Sequence, residues 1–278
     1  MAQFQIDGFA VVVGATGGIG REVVLGFAEA GAQGILLADI NSEAIAQVAD
    51  QSKALASNPN YRCISTTVDV TDVASVDAVA KLAKEQFGRI DYCINAFGVD
   101  VASYRSLDET DPAEYDRVLG INTKGVFLVT RAVGKIMKSQ EPVSVDLGRH
   151  GLRDVGRGSI VNISSAMALV AVPTKTPYAT SKHAVTGLTK AAVMDFKSFG
   201  IRVNQVCPIW VKTPMFEEEC RKEPMTAQMV KNISSLKRAI EPDEVASACL
   251  YLCSPSAVYV NGLTLPMDSG AFAGPIFA

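Results

Sequence analysis

Short runs of β-branched and apolar residues alternate along this chain with longer stretches whose apolar residues recur at helical spacing. That alternation restricts the fold to a parallel sheet with helices on both faces, because consecutive parallel strands must be joined by a crossover, usually a helix. The strand candidates are 9–15 (FAVVVGA), 34–40 (GILLADI), 62–70 (RCISTTVDV), 90–98 (IDYCINAFG), 158–166 (GSIVNISSA) and 201–208 (IRVNQVCP). A shorter one at 262–268 (GLTLPMD) would close the sheet. Each is mostly apolar throughout, as expected of strands buried on both faces. Residues 18–30, 42–56, 72–87, 112–138, 178–198 and 242–253 read as helices, with Asp111–Pro112, Glu241–Pro242 and Gly200 as starts and stops. No repeat or linker divides the 278 residues, so the expectation is one doubly wound α/β domain of about seven strands spanning 1–278.

Two stretches break the alternation. Residues 139–157 are polar and punctuated by Pro and Gly, which predicts a surface loop inserted before the fifth strand. Residues 209–240 mix Met and aromatic residues with charges and prolines, a composition suited to a flap over a substrate site.

Composition excludes several function classes. The chain is 48% hydrophobic and 20% charged with a formal net charge of -3 and no basic block, so nucleic acid is not an expected partner. An acid occupies the N-terminal stretch where a signal peptide would carry positive charge, and no segment has the 18 or more uninterrupted apolar residues of a membrane span. Six cysteines are scattered without a C-x-x-C pair and only two histidines accompany them, which predicts reduced thiols, no metal site and a cytoplasmic setting.

Two motifs carry chemistry. The first strand runs into VVVGATGGIGREVV, where Gly14, Gly17, Gly18 and Gly20 let the backbone turn tightly and approach a pyrophosphate at the helix N-terminus, as in Rossmann-type dinucleotide folds. Asp39 ends the second strand nineteen residues after Gly20, where a carboxylate binds ribose hydroxyls and repels a 2′-phosphate. No Arg or Lys stands at 14–19 or at 40, so NAD is favoured over NADP. Asp39 could instead cap the next helix, a role for which Ser42 competes. The second motif is YATSK: on a helix, Tyr178 and Lys182 lie one turn apart on one face, and an ammonium beside a phenol favours its phenolate.

With these residues in this order, the chain resembles the short-chain dehydrogenase/reductases over nearly its whole length. GATGGIG (14–20) is similar to that family's G-x-x-x-G-x-G loop, and VDVTD (68–72) to its adenine-contacting segment, with Asp69 and Val70. INTKG (121–125) is similar to the segment bearing the active-site Asn, GSIVNISS (158–165) to the serine strand, and VCPIWVKTPM (206–215) to the nicotinamide loop. The resemblance implies catalytic roles for Asn122, Ser165, Tyr178 and Lys182, with Ser165 chosen over Ser164 because the family's serine lies thirteen residues before its tyrosine. It implies cofactor contacts from Thr16 and Ile19 in the glycine loop, and from Ile40, Asn95, Ala96, Gly98, Pro208, Val211 and Thr213, besides Tyr178 and Lys182. In the implied reaction a hydride passes between nicotinamide and a substrate carbonyl carbon. Ser165 binds the oxygen, Tyr178 moves its proton, Lys182 lowers the tyrosine pKa, and Asn122 holds a water linking Lys182 to solvent.

The departures from the family are also informative. Val13 stands where Thr is usual, NAFG (95–98) replaces NNAG, and Ile209 and Trp210 follow Pro208 where glycine is usual. Phe97, Ile209 and Trp210 either narrow the site for a specialised apolar substrate or are tolerated packing changes. Met215, Met225 and Met229 could line such a pocket or pack the flap; His183 and His150 read as packing or surface residues. The expectation is an NAD(H)-dependent oxidoreductase for a secondary alcohol and its ketone. A non-redox enzyme on the same fold (isomerisation, dehydration or cyclisation) is the alternative, and a dinucleotide sensor a third. The resemblance also implies a homo-oligomer, tetramer or dimer, through the helices at 112–138 and 178–198.

Overall fold

Alternating side chains of the first two strands fix the layering. In β1 (Phe9–Val13), Ala10 and Val12 enter one apolar core while Phe9, Val11 and Val13 enter another. In β2 (Gly34–Asp39), Ile35 and Leu37 separate from Leu36 and Ala38 in the same way. The computed structural model describes residues 4–273; the first three residues of the N-terminal stretch and the last five of the chain lie outside it. The pattern continues through β3 (Arg62–Thr67) and β4 (Tyr92–Asn95), and, after a small hairpin of β5 (Val143–Asp146) and β6 (Leu152–Gly156), through β7 (Gly158–Ile163), β8 (Ile201–Pro208) and β9 (Thr264–Met267). The seven main strands form one parallel sheet in the order β3-β2-β1-β4-β7-β8-β9. The chain therefore leaves β1 in one direction and returns past it to β4, which opens a crevice at the carboxyl ends of those two strands.

Helices α1 (Gly18–Glu29) and α2 (Ser42–Leu55) cover one face, and α3 (Val73–Phe87) the other. After α4 (Pro112–Leu119), helices α5 (Val126–Lys138) and α6 (Thr176–Phe196) complete the second face. Two short helices, α7 (Pro214–Lys222) and α8 (Thr226–Ile233), occupy the 209–240 segment read as a flap, and α9 (Pro242–Cys253) returns to the first face. Local chemistry sets the boundaries. Asp111 caps α4 ahead of Pro112, Glu241 and Glu244 form a capping box on α9, and Gly88 ends α3 at φ +81. No helix among the described residues is long and apolar enough to cross a membrane.

The main-sheet strands and their helices fall where the sequence places them, with four differences. β3 is not apolar on both faces, because it is an edge strand with one neighbour and part of its surface meets solvent. The inserted segment 139–157 is not an irregular loop but contains the antiparallel β5–β6 hairpin. Gln140 ties the base of this insertion to the sheet by accepting from Ile90 N (3.1 Å) and donating to Ile90 O (2.7 Å). The helix read over 112–138 is two helices joined by a π-helical segment, Gly120–Gly125, which carries Asn122. Finally, α2 is capped by Asn41, whose side chain accepts from Ala44 N, rather than by Asp39 or Ser42.

A buried polar chain seats α6 on the sheet. Asn95 Nδ2 donates to Asn162 Oδ1 at 2.8 Å, and Asn162 Nδ2 donates to Thr189 Oγ1 of α6 at 3.0 Å. Asn95 and Asn162 are wholly buried, so removing one partner strands polar groups without water. Replacement Asn162→Leu is expected to destabilise the fold by about 2–4 kcal/mol in urea unfolding; a loss within error of zero would mean that α6 is held by apolar packing alone.

Candidate functional site

At the crevice, sterics explain the glycines. Gly14 has φ +82, and a Cβ there would stand 2.5 Å from Phe97 N; a Cβ on Gly20 would stand 1.9 Å from Gly14 O. Neither position admits a side chain, so α1 begins directly against the turn and its amide groups face the crevice end of β1. A Cβ on Gly18 would meet Thr213 Cγ2 at 2.7 Å, which sets the base of the flap against the glycine loop. Thr213 caps α7, and Pro208 and Val211 are buried beside it.

Asp39 is buried at the end of β2 and reaches across to that loop, accepting from Thr16 N at 2.9 Å and from Asn41 N at 3.1 Å. Ile40 beside it is 77% exposed. Asp69 is exposed, and hydrogen bonds from the Thr71 hydroxyl and amide hold its carboxyl below the usual carboxylate range. Ile19 and Ala96 are half-buried against the core. Asn95 differs from expectation in one respect: its side chain is committed to Asn162, so only its main chain could serve a ligand.

Four elements bring the remaining residues together. From the π segment, Asn122 accepts from Val99 N (2.8 Å) and donates to Val99 O (2.9 Å) and Ser181 Oγ (3.1 Å). Ser181 in turn donates to Tyr178 O at 2.7 Å, so Asn122 clamps the segment after β4 onto the first turns of α6. Gly98 lies between Asn122 and Lys182: a Cβ there would be 3.3 Å from Asn122 Oδ1 and 3.5 Å from Lys182 Nζ. Ser164 and Ser165 follow β7, both buried; Ser165 Oγ accepts from Met167 N at 3.2 Å, and its hydroxyl is one of the groups that pull the Tyr178 phenol down. Lys182 lies 5.4 Å from the Tyr178 ring centroid and donates to Ile163 O at 3.3 Å.

The electrostatics depart from the simplest reading of YATSK. Burial dominates at Tyr178 and pushes its phenol up, reinforced by Asp100 and Glu219, while Ser165 and Lys175 pull the other way. The phenol is therefore a neutral acid near neutral pH, a form suited to giving a proton. Burial also draws Lys182 down to about 8, so the ammonium rather than the tyrosine is brought close to physiological pH. Lys182 is not a direct cause of lowering at Tyr178 in this geometry.

Of the two readings of Phe97, the structure shows packing. Its ring packs with Val70 against Gly125, where a Cβ would meet Phe97 Cε2 at 2.9 Å and Val70 Cγ2 at 3.0 Å. The bulk substituted in NAFG thus fills space over the π segment. Trp210 does face the flap, with Nε1 3.5 Å from Glu219 Oε1. Met215, Met225 and Met229 lie on the exposed side of the flap helices, and His183 and His150 are exposed. Sequence reading missed Asp100, Lys175 and Glu219, which form a buried ion-pair cluster beside Tyr178. Only Lys175 had a local signal, three residues before Tyr178 at helical spacing.

The buried ammonium yields a stability prediction. Below about 8, folded and unfolded chains both hold the Lys182 proton and the full burial penalty applies. Between about 8 and the ordinary 10.5, the unfolded chain binds more protons, so stability rises with pH. Lys182→Met is expected to raise Tm near neutral pH by about 5 °C, with the gap narrowing as pH is raised from about 8 toward 10.5; a lower Tm than wild type would reverse the sign of this account.

A family model described as Enoyl-(Acyl carrier protein) reductase matches residues 14–271. The short-chain dehydrogenase anuF of Penicillium roqueforti (strain FM164) is 40% identical over 267 residues, covering 96% of each chain. Levodione reductase of Leifsonia aquatica is 31% identical over 272 residues, covering 96% of this chain and 95% of that one. The crystal structure of a levodione reductase superimposes with a TM-score of 0.86 at 30% identity, covering 96% of this chain and 98% of that chain. With its glycine turn, its Ser-Tyr-Lys cluster and this agreement over nearly the full length, the chain belongs to the short-chain dehydrogenase/reductase family.

Proposed function

We propose that the chain is an NAD(H)-dependent oxidoreductase interconverting a fairly apolar secondary alcohol and its ketone. The observation that carries this reading is the meeting of buried Ser165, at the carboxyl end of β7, with half-buried Tyr178 and with Lys182 one turn along α6. The crevice residues fit a dinucleotide: a turn closed to side chains at Gly14 and Gly20, and a buried carboxylate at Asp39 beside the uncharged Ile40. A bound nicotinamide would give or take the hydride. The protein's own part is proton and charge management at the substrate oxygen. Ser165 donates a hydrogen bond to that oxygen as charge develops, and Tyr178, kept protonated by burial, donates the proton in the reducing direction. Lys182, at about 8, is placed to return a proton to Tyr178, with Asn122 fixing the backbone around it.

The remaining parts of the reading rest on independent features. Asp39 supports NAD over NADP, because a 2′-phosphate would meet a carboxylate and find no cation at position 40. Asp69 and Val70 would line the adenine side, and Thr16, Gly17, Gly18, Ile19, Ala96, Gly98, Pro208, Val211 and Thr213 the rest of the cofactor's path. The half-buried Trp210 supports an apolar substrate. A groove of about 630 Å³ between α5 and α6, lined by Phe127, Leu188 and Phe196, supports a homo-oligomer, tetramer or dimer. The six free cysteines, four of them buried, support a cytoplasmic setting.

Fluorescence titration should give at least about tenfold tighter binding of NADH than of NADPH, and Asp39→Gly with Ile40→Arg should reverse the preference. Equal or tighter NADPH binding by the wild type would overturn the assignment to Asp39. In a panel of apolar ketones and secondary alcohols, Tyr178→Phe should lower kcat about 10²–10⁴-fold while leaving NADH binding intact. Because reduction needs both Tyr178 and Lys182 protonated, its rate should fall as pH rises through about 8 while oxidation rises. Tight dinucleotide binding without turnover of any panel member would move the assignment to a non-redox reaction.

A further inference from the structure

Lys175 is a buried cation that the proton chemistry does not require. Its side chain is 9% exposed, yet its Nζ lies 2.8 Å from Asp100 Oδ2 and 2.8 Å from Glu219 Oε1. These partners come from separate parts of the fold: Asp100 from the segment after β4, and Glu219 from α7 of the flap. The ammonium also faces two aromatic rings, 5.1 Å from the Tyr104 centroid and 5.8 Å from that of Tyr178. Glu219 Oε1 faces Trp210 Nε1 as well, at 3.5 Å. Burial alone would draw the ammonium down, but Asp100 and Glu219 outweigh it and hold Lys175 above its ordinary value, so it stays charged.

The cluster matters because little else fastens α7. No side chain of this helix is fully buried, and its other ion pairs, Glu218 with Arg221 and Lys222, stay within the helix and are largely exposed. Exposed pairs contribute little, whereas breaking a buried one leaves a charge without its partner. Lys175 is also the N-cap residue of α6: its carbonyl accepts from Ala179 N at 2.9 Å, and Tyr178 lies on the same turn. One side chain thus connects the flap, the segment clamped by Asn122 and the turn that carries Tyr178.

We propose that Lys175 is a positioning residue, a latch whose buried ammonium fastens α7 through Glu219 to Asp100 and closes the flap over Tyr178. Substrate enters when the Glu219 arm swings away with α7, while the Asp100 arm keeps Lys175 and the first turn of α6 in place. The two carboxylates together outweigh the single charge of the cation, so Lys175 is no receptor for an anionic substrate. The inference rests on reading the Tyr178 pocket as the substrate site.

Trp210 is the sole tryptophan, so its emission reports on the latch directly. Lys175→Met and Glu219→Gln, checked for fold by circular dichroism, should each red-shift that emission and speed proteolytic cleavage within 214–240 by about tenfold. The double variant should move no further than either single one, because both break the same contact. Lys222→Gln, which removes an exposed pair inside α7, should change neither readout. Wild-type emission and cleavage in the single variants, or effects that add in the double one, would overturn the latch. Should Lys175→Met fail to fold, Glu219→Gln decides alone, since it alters only the flap arm. Neither readout needs a dinucleotide, so failure of the wild type to bind NADH or NADPH would count against the functional reading alone.

Discussion

A parallel sheet whose central strands are buried on both faces leaves few places for polar side chains to gather, and its carboxyl edge is the main one. Everything at the site follows from that constraint. β1 ends in the glycine turn, β2 in Asp39, β4 in the segment holding Gly98 and Asp100, β7 in Ser164 and Ser165, and β8 in the flap. Of the polar groups that do lie within the sheet, Asn95 and Asn162 are spent on each other and on Thr189, and so help set the helix that carries Tyr178 and Lys182. A parallel sheet thereby delivers groups distant in sequence to one crevice.

The chemistry depends on burial that the fold does not need for its own stability. Removing Tyr178 and Lys182 from water disfavours their charged forms, raising the phenol and lowering the ammonium. The two shifts act in opposite directions on the same face of α6, leaving a strong-holding acid beside a cation that exchanges its proton near pH 8. Active sites are where such destabilising burial is retained, because an acid or base works best when its proton affinity is matched to the reaction. Asp100, Lys175 and Glu219 add a second set of buried charges a few ångströms away, bringing the flap into the electrostatics of the tyrosine.

What could be read from the chain was what local geometry enforces. Continuous apolar runs gave the strands of the main sheet and period-3.6 patterns the principal helices, since strands covered on both faces need no polar side. The glycine turn was legible because a Cβ at Gly14 or Gly20 would collide with backbone, and Tyr178 with Lys182 because four residues make one turn of helix. The π segment was not legible. Its distortion comes from Asn122 gripping Val99, a contact 23 residues away, and nothing in INTKG departs from helical composition. The hairpin at 143–156 escaped for a different reason: its strands are four and five residues long and largely exposed, so the alternation in Val143–Asp146 is too short to stand out from a polar loop.

By itself, then, the sequence determined the doubly wound sheet, the position of the dinucleotide turn, the acid at Asp39 and the face shared by Tyr178 and Lys182. These depend on backbone sterics and on spacings of a few residues. Tertiary structure decided that Phe97 packs over the π segment, that burial outweighs neighbouring cations at Tyr178, and that Lys175 joins partners 75 and 44 residues away. Those outcomes turn on distance, solvent exclusion and the meeting of elements remote in the chain, and electrostatic strength depends on all three.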